Sequence, residues 1–225
     1  MSTTISTLQQ QAYTYVKDRI MSLAYKPGQV VTDADVAAEI GISRTPVREA
    51  FQRLENEGLL VNEARRGWRV YRLSLSDIHE IFEIKVSVEG AIARKAAACQ
   101  NHELRRALKG AIKTMRVAAD AADPDAWLKS DFQLHDVLFE MASNERARRI
   151  IANLNDQWHR VRQGYVAMQM RIQLSTQEHE TFVASILSGD GDAAETQFRQ
   201  HLQNVRWAVV NLLETVVLPF SDNSV

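Results

Sequence analysis

Residues 43–58 read SRTPVREAFQRLENEG. Val47, Ala50, Phe51 and Leu54 follow the 0, +3, +4, +7 spacing of a buried helical stripe. Arg44 and Arg48 stand four apart and share a different face. Ser43 suits an N-cap, and Pro46 falls in the first turn, where a missing N–H is tolerated. Gly58 lies where the helix should stop. The spacing predicts a short helix with an apolar back and two guanidinium groups at its exposed N-terminal end. A guanidinium can fork onto guanine O6 and N7 in the major groove or clamp a phosphate, and a helix N-terminus itself favours phosphate oxygens. A basic amphipathic helix is more often just a solvated face, so the flanking residues decide.

Upstream, residues 32–40 read as a second helix, with Val36, Ala37 and Ile40 apolar, and Gly41-Ile42 makes a tight turn into Ser43. That order is helix, glycine-containing turn, helix. Downstream, Leu59-Leu60-Val61 and Trp68-Arg69-Val70-Tyr71 are strand-like, and Ala64-Arg65-Arg66-Gly67 joins them. A hairpin with two arginines at its tip is a wing that can lie along a DNA backbone or enter a minor groove. Further upstream, Tyr13, Val16, Ile20 and Leu23 form the stripe of a first helix over about 8–24, which Lys26-Pro27-Gly28 ends.

Lys26-Pro27-Gly28, the run from Ala37 to Ile42, SRTPVREAFQRLENEGLL and Arg66-Gly67-Trp68-Arg69-Val70 together closely resemble the winged helix-turn-helix of the GntR family of bacterial transcription regulators. The resemblance covers roughly residues 8–72. It implies that Arg44, Thr45 and Arg48 face the groove of double-stranded operator DNA and that Arg66 and Gly67 sit at the wing tip. Members often carry a basic residue in the first helix of the motif. Here that helix is acidic, with Asp33, Asp35 and Glu39.

The net charge of −1 argues against a nucleic-acid partner until its distribution is examined. Residues 1–73 hold 10 Lys+Arg against 8 Asp+Glu, and residues 43–72 hold 7 against 4. The basic footprint is local and modest, so two copies in a homodimer would help affinity. The single Cys99 excludes an intrachain disulfide framework and fits a cytoplasmic protein. No apolar run approaches the length of a membrane span, and the N-terminal residues do not read as a signal peptide.

Leu73-Ser74-Leu75-Ser76 reads as a short linker with Ser76 capping the next helix, which sets a domain boundary near 73: a DNA-binding domain over 1–73 and a second domain over 74–225. Residues 1–7 are polar and expected to fray. Beyond the linker everything reads as helix, over about 76–99, 102–121, 124–141, 144–171, 175–188 and 191–217. Asp123-Pro124 supplies a cap and a first-turn proline. Ser143-Asn144 separates two helices, Ser175-Thr176-Gln177-Glu178 fits a capping box, Gly189-Asp190-Gly191-Asp192 turns into the last helix, and Pro219 closes it. The expected fold is mainly α: three helices plus a β-hairpin wing, then an all-α bundle of six to seven helices.

Asp131 and His135 are four apart and leave one face of a helix. His179 and His201 lie on later helices, beside Phe182, Val183 and Ile186 and beside Phe198, Leu202 and Val205. A carboxylate and three imidazoles in one bundle can surround a divalent ion. They can equally be a hydrogen-bonded Asp–His pair beside core histidines, and spacing leaves both open. His79, His102 and His159 sit in polar surroundings and read as surface residues.

Residues 76–217 also look like the FCD domain, the effector-binding bundle of the FadR-like branch of GntR regulators. The stretches that carry the likeness are Lys85 to Ala93, Asp131 to His135, Met141-Ala142-Ser143-Asn144, Glu178-His179, and Ala193-Ala194 leading to His201. In metal-binding members an aspartate and three histidines hold zinc, nickel or a similar ion. The matching positions are Asp131, His135, His179 and His201. The family usually has an arginine facing the effector pocket where this chain has Lys85, which keeps the charge but lacks the planar fork that grips a carboxylate.

The resemblance therefore implies no enzyme but a metabolite-responsive transcription regulator, most often a repressor, with a small carboxylate as effector. Two other readings stand beside it. One is a metal-dependent hydrolase, with Glu178 or Glu180 as base, which leaves residues 8–72 unexplained. The other is a DNA-binding protein with no effector.

Overall fold

The computed structural model describes residues 7–166 and 169–214. The polar N-terminal run through residue 6, the last helix beyond 214 and Pro219 lie outside them. The chain separates into two compact units: one gathers residues up to 73 together with 155–160, the other the remainder.

In the first unit, α1 (Thr7–Met21) precedes a two-residue strand β1 (Val30–Val31), then α2 (Asp33–Ile40), α3 (Arg44–Asn56), β2 (Leu60–Glu63) and β3 (Gly67–Val70). The apolar stripes meet in one core. Val16 and Ile20 of α1, Val36 of α2 and Val47, Ala50, Phe51 and Leu54 of α3 are all buried. Phe51 packs edge-on to Trp68 of β3 at 5.6 Å between ring centroids. The first helix stops earlier than its stripe suggests: Leu23 has φ +61° and is exposed. Ser43 takes the N-cap backbone conformation of α3, but its hydroxyl makes no capping hydrogen bond. Gly58 follows the C-cap with φ +74°, and its N–H returns to the Glu55 carbonyl.

The expected hairpin is the larger part of a three-stranded antiparallel sheet, ordered β1-β3-β2. A two-residue strand is too short for any periodicity to reveal. Gly67, with φ +109°, lies so close to β1 that a Cβ there would stand 2.8 Å from the Val31 carbonyl oxygen. The structure thus gives this glycine a packing reason of its own.

The remaining elements are all helices: α4 (Leu75–Ala97), α5 (His102–Asp120), α6 (Pro124–Ala142), α7 (Glu145–Val166), whose residues 155–160 are grouped with the first unit, α8 (Gln169–Ser188) and α9 (Gly191–Leu212). Six helices agree with the expected bundle. Ser74 rather than Ser76 caps α4, in a reciprocal capping box with Asp77. Asp123 and Asp190 cap α6 and α9 through their side chains. Ser143, at φ +48°, ends α6.

One boundary differs. No helix starts at Ser175; α8 begins at Gln169 and runs through the capping-box lookalike. Ser175 and Thr176 are buried inside it. Thr176 donates its hydroxyl to the Ile172 carbonyl and accepts the Trp127 indole N–H at 2.8 Å. The hydroxyl serves the core, not a helix end.

Candidate nucleic-acid interface and metal centre

Helix α3 presents Arg44, Thr45 and Arg48 to solvent, because its opposite face is occupied by the core stripe. The hairpin turn holds Arg65, at φ +69°, and Arg66, both exposed. Thr32, Asp33, Arg44, Arg48, Arg66 and Gly67 are among the residues lining one open cleft between α2, α3 and the wing. The arginines do not stand alone there. Arg44 donates through Nη2 to Asp33 Oδ1 at 2.7 Å, and Arg48 Nε lies 3.5 Å from Asp33 Oδ2. The acidic helix α2 therefore faces Arg44 and Arg48 through one of its carboxylates.

In the bundle, the histidines come together. Asp131 and His135 on α6 and His179 on α8 place one potential ligand atom each within 4.8 Å of one another. His179 Nε2 is 3.0 Å, and His135 Nε2 3.8 Å, from the same oxygen, Asp131 Oδ1. His201 on α9 joins from the side, its ring centroid 4.4 Å from that of His179. Asp131, His179 and His201 are buried; His135 is partly exposed. Trp127, Phe182 and Phe198 pack against the imidazoles and give the cluster an apolar wall.

Each ring is fixed by an oxygen at its Nδ1. His135 Nδ1 lies 2.9 Å from Glu89 Oε2, His179 Nδ1 2.7 Å from the Ser175 carbonyl, and His201 Nδ1 2.7 Å from Glu178 Oε2. An oxygen acceptor at that distance requires the proton on Nδ1, so a neutral ring keeps its lone pair on Nε2. This is how outer partners set metal-ligating histidines. At 3.0 Å, the Nε2 lone pair of a neutral His179 and the Asp131 carboxylate oxygen are two acceptors facing each other. A proton on Nε2 or a divalent ion held by both groups resolves that contact.

Ligand atoms about 2.1 Å from an ion stand roughly 3 Å apart when cis and roughly 4 Å apart when trans in octahedral coordination. The 3.0 and 3.8 Å separations from Asp131 Oδ1 fall in that interval. Asp131, His135 and His179 thus fit a divalent ion by both donor type and spacing, whereas His201, a fitting donor beside His179, falls outside that close group of ligand atoms. Burial pushes the His201 imidazolium pKa down to about 3, with neighbouring His179 acting in the same direction. That keeps the ring neutral, as a ligand must be.

Lys85 does not stand open to a cavity. It is 2 % exposed, and its ammonium lies 2.6 Å from Glu89 Oε1. Burial alone would raise the Glu89 carboxyl, but Lys85 and then His135 hold it down to about 2. A buried chain Lys85–Glu89–His135 therefore leads from α4 to the cluster. Glu178 has the same place on the other side: besides His201 it receives Arg171 Nη2 at 2.9 Å and Asn204 Nδ2 at 2.9 Å.

Of these orienting groups, Glu89 enters the sequence reading only within the stretch Lys85 to Ala93, with no role of its own. The Ser175 carbonyl and the Glu178–His201 contact between helices leave no signature in sequence. His79 and His102 are exposed, as expected. The His159 side chain lies outside the described residues.

A winged helix-turn-helix, coupled in one chain to a helical bundle with a polar centre, defines a DNA-binding transcription regulator. Comparison with known families agrees: residues 8–70 match the gntR family of bacterial regulatory proteins, and residues 80–204 match the FCD domain. The chain belongs to the GntR family, in its FadR-like branch with a C-terminal FCD domain. It is 28% identical over 200 residues to the HTH-type transcriptional repressor RspR of Escherichia coli K12, covering 89% of this chain and 88% of that one. It is 24% identical over 203 residues to the gluconate operon transcriptional repressor of Bacillus subtilis 168, covering 86% and 82%. Among solved structures it is similar to E. coli McbR/YncC, with a TM-score of 0.75 at 17% identity over 91% of this chain and 97% of that one. A putative GntR regulator from Rhodococcus sp. RHA1 also gives 0.75, at 18% identity over 92% and 99%. At these identities the structures speak for the fold alone. The relatives and the fold are those of transcription regulators, not enzymes, which disposes of the hydrolase alternative. Among the described residues no helix is long and apolar enough to cross a membrane.

Proposed function

We propose that this protein is a cytoplasmic, metabolite-responsive repressor that binds operator DNA as a homodimer. Residues 1–73 form its reading head and residues 74–225 its sensor. Arg44, Thr45 and Arg48 address the major groove, while Arg66 and Gly67 bring the wing against the flanking backbone. Relatives named as repressors support the sense of regulation.

In the sensor, Asp131, His135, His179 and His201 hold a divalent ion such as zinc or nickel. The observation that carries this is the Asp131 carboxylate with His135 and His179 close to it and His201 beside His179, each ring fixed at Nδ1 by an oxygen acceptor. The ion supplies a Lewis-acidic docking point for a small effector, most simply an organic carboxylate. The protein's own groups set the geometry: Glu89 and Glu178 orient two of the rings, the Phe182 and Phe198 walls exclude water, and Lys85 fixes Glu89. Lys85 thus acts at the effector end of the site through Glu89 and His135, because its charge is already matched.

The test is elemental analysis of protein purified without a histidine tag. About one ion per chain is expected, and His135→Ala should lose most of it. Metal-free wild-type protein that takes up neither zinc nor nickel overturns the sensor reading. A mobility shift on the upstream region of the protein's own gene, against Arg44→Ala plus Arg48→Ala, tests the reading head separately. Equal binding by the double variant overturns that assignment.

A further inference from the structure

Asp33 is the first residue of α2, and its side chain is 11% exposed, whereas those of Arg44 and Arg48 are both 65% exposed. One carboxylate therefore meets two guanidinium groups, one per oxygen. An acidic residue at a helix start usually just complements the helix dipole. Here Thr32 occupies the N-cap, and its hydroxyl accepts from the Asp35 N–H. The Asp33 carboxylate is turned instead toward α3, into the cleft that also holds the wing residues Arg65 and Arg66.

Two consequences follow from charge and geometry. Arg44 and Arg48 are like charges at i, i+4 and repel; the carboxylate relieves that repulsion and limits the directions either side chain takes. A guanidinium has five N–H donors, so the bond from Arg44 Nη2 leaves others to fork onto guanine O6 and N7. A carboxylate in the same cleft also repels phosphate but tolerates the neutral edge of a base pair.

We propose that Asp33 is a positioning residue that aims Arg44 and Arg48 at base edges and keeps them off phosphates, trading nonspecific affinity for sequence discrimination. This rests on the assignment of the two arginines to the DNA interface.

The test uses the full-length protein, a duplex enriched by the wild type from a random pool, and a scrambled duplex of equal length. Binding is followed by fluorescence anisotropy across a salt series. Asp33→Asn keeps size and polarity but removes the charge. It should bind the scrambled duplex more tightly, lower the ratio between the duplexes by about 10-fold, and steepen the salt dependence by about one ion. Asp33→Glu should restore most of the ratio. An unchanged ratio and salt slope in Asp33→Asn overturns the proposal. So does equal weakening on both duplexes with a lowered melting temperature, the signature of a purely structural role. If Arg44→Ala plus Arg48→Ala binds both duplexes as the wild type does, the underlying assignment fails instead, and that result is distinct from the other two.

Discussion

Glu178 receives Arg171, Asn204 and His201 together. Its carboxyl stays below the usual range even though burial would raise it, because His201, then Asn204 and Arg171, favour the charged form. Glu178→Gln keeps the shape but brings an amide against Nδ1. The charge that strengthens the bond to Nδ1 is lost, and the one amide oxygen must serve donors that the carboxylate met with two. Partners of this kind are worth 10- to 100-fold in metal affinity, so competition with a chelator should show zinc held at least about 10-fold less tightly by Glu178→Gln. Affinity equal to wild type would mean that Glu178 only braces α8 against α9. Sequence reached the ring-bearing residues and offered Glu178 as a capping residue or a base, but not as the partner of His201, for a physical reason. Asp131 and His135 are linked by helical period, and His179 and His201 stand out as polar residues in apolar stripes. Glu178 borders such a stripe as any surface glutamate does, and only the approach of two helices gives it a role.

At the level of elements, punctuation and stripes carried most of the fold, and the failures share one cause. Ser175-Thr176-Gln177-Glu178 has the residues of a capping box, but a box caps only where the preceding chain is not helical. Helix α8 is already under way, and Thr176 is fully buried against the Trp127 indole N–H. The demand for that hydroxyl comes from α6, which a local pattern cannot register. Likewise β1 exists because Gly67 lets β3 approach it, not because Val30-Val31 shows any alternation. Thr176→Val tests the argument. It is nearly isosteric and removes only the hydroxyl, leaving a buried indole N–H without its acceptor. Such a loss costs about 1–3 kcal/mol. Urea unfolding should show a lowered midpoint with an unchanged slope. A midpoint equal to wild type would place a water, not Thr176, as the indole's partner.

For the whole molecule, sensing and reading are joined by linkage: whatever factor the effector imposes on operator affinity, the operator imposes on effector affinity. The metal enters the same accounting, since a ligand bound only by the folded bundle stabilises it by RT ln(1 + [L]/Kd), about 2.7 kcal/mol at one hundred times Kd. For a domain of this size each kcal/mol moves the melting temperature by roughly 2–4 °C. Dialysis against a chelator should therefore lower the melting temperature of the wild-type protein by several degrees, and adding back zinc or nickel should restore it. His135→Ala and His179→Ala should melt near the metal-free wild type and gain little from either ion. The Arg44→Ala plus Arg48→Ala protein should keep the full metal response, because its substitutions lie in the reading head and remove no ligand. A chelator with no effect on wild type, under conditions where elemental analysis finds the ion removed, would show that the imidazole cluster is held by its own hydrogen bonds. It would then have to sense its effector without a metal.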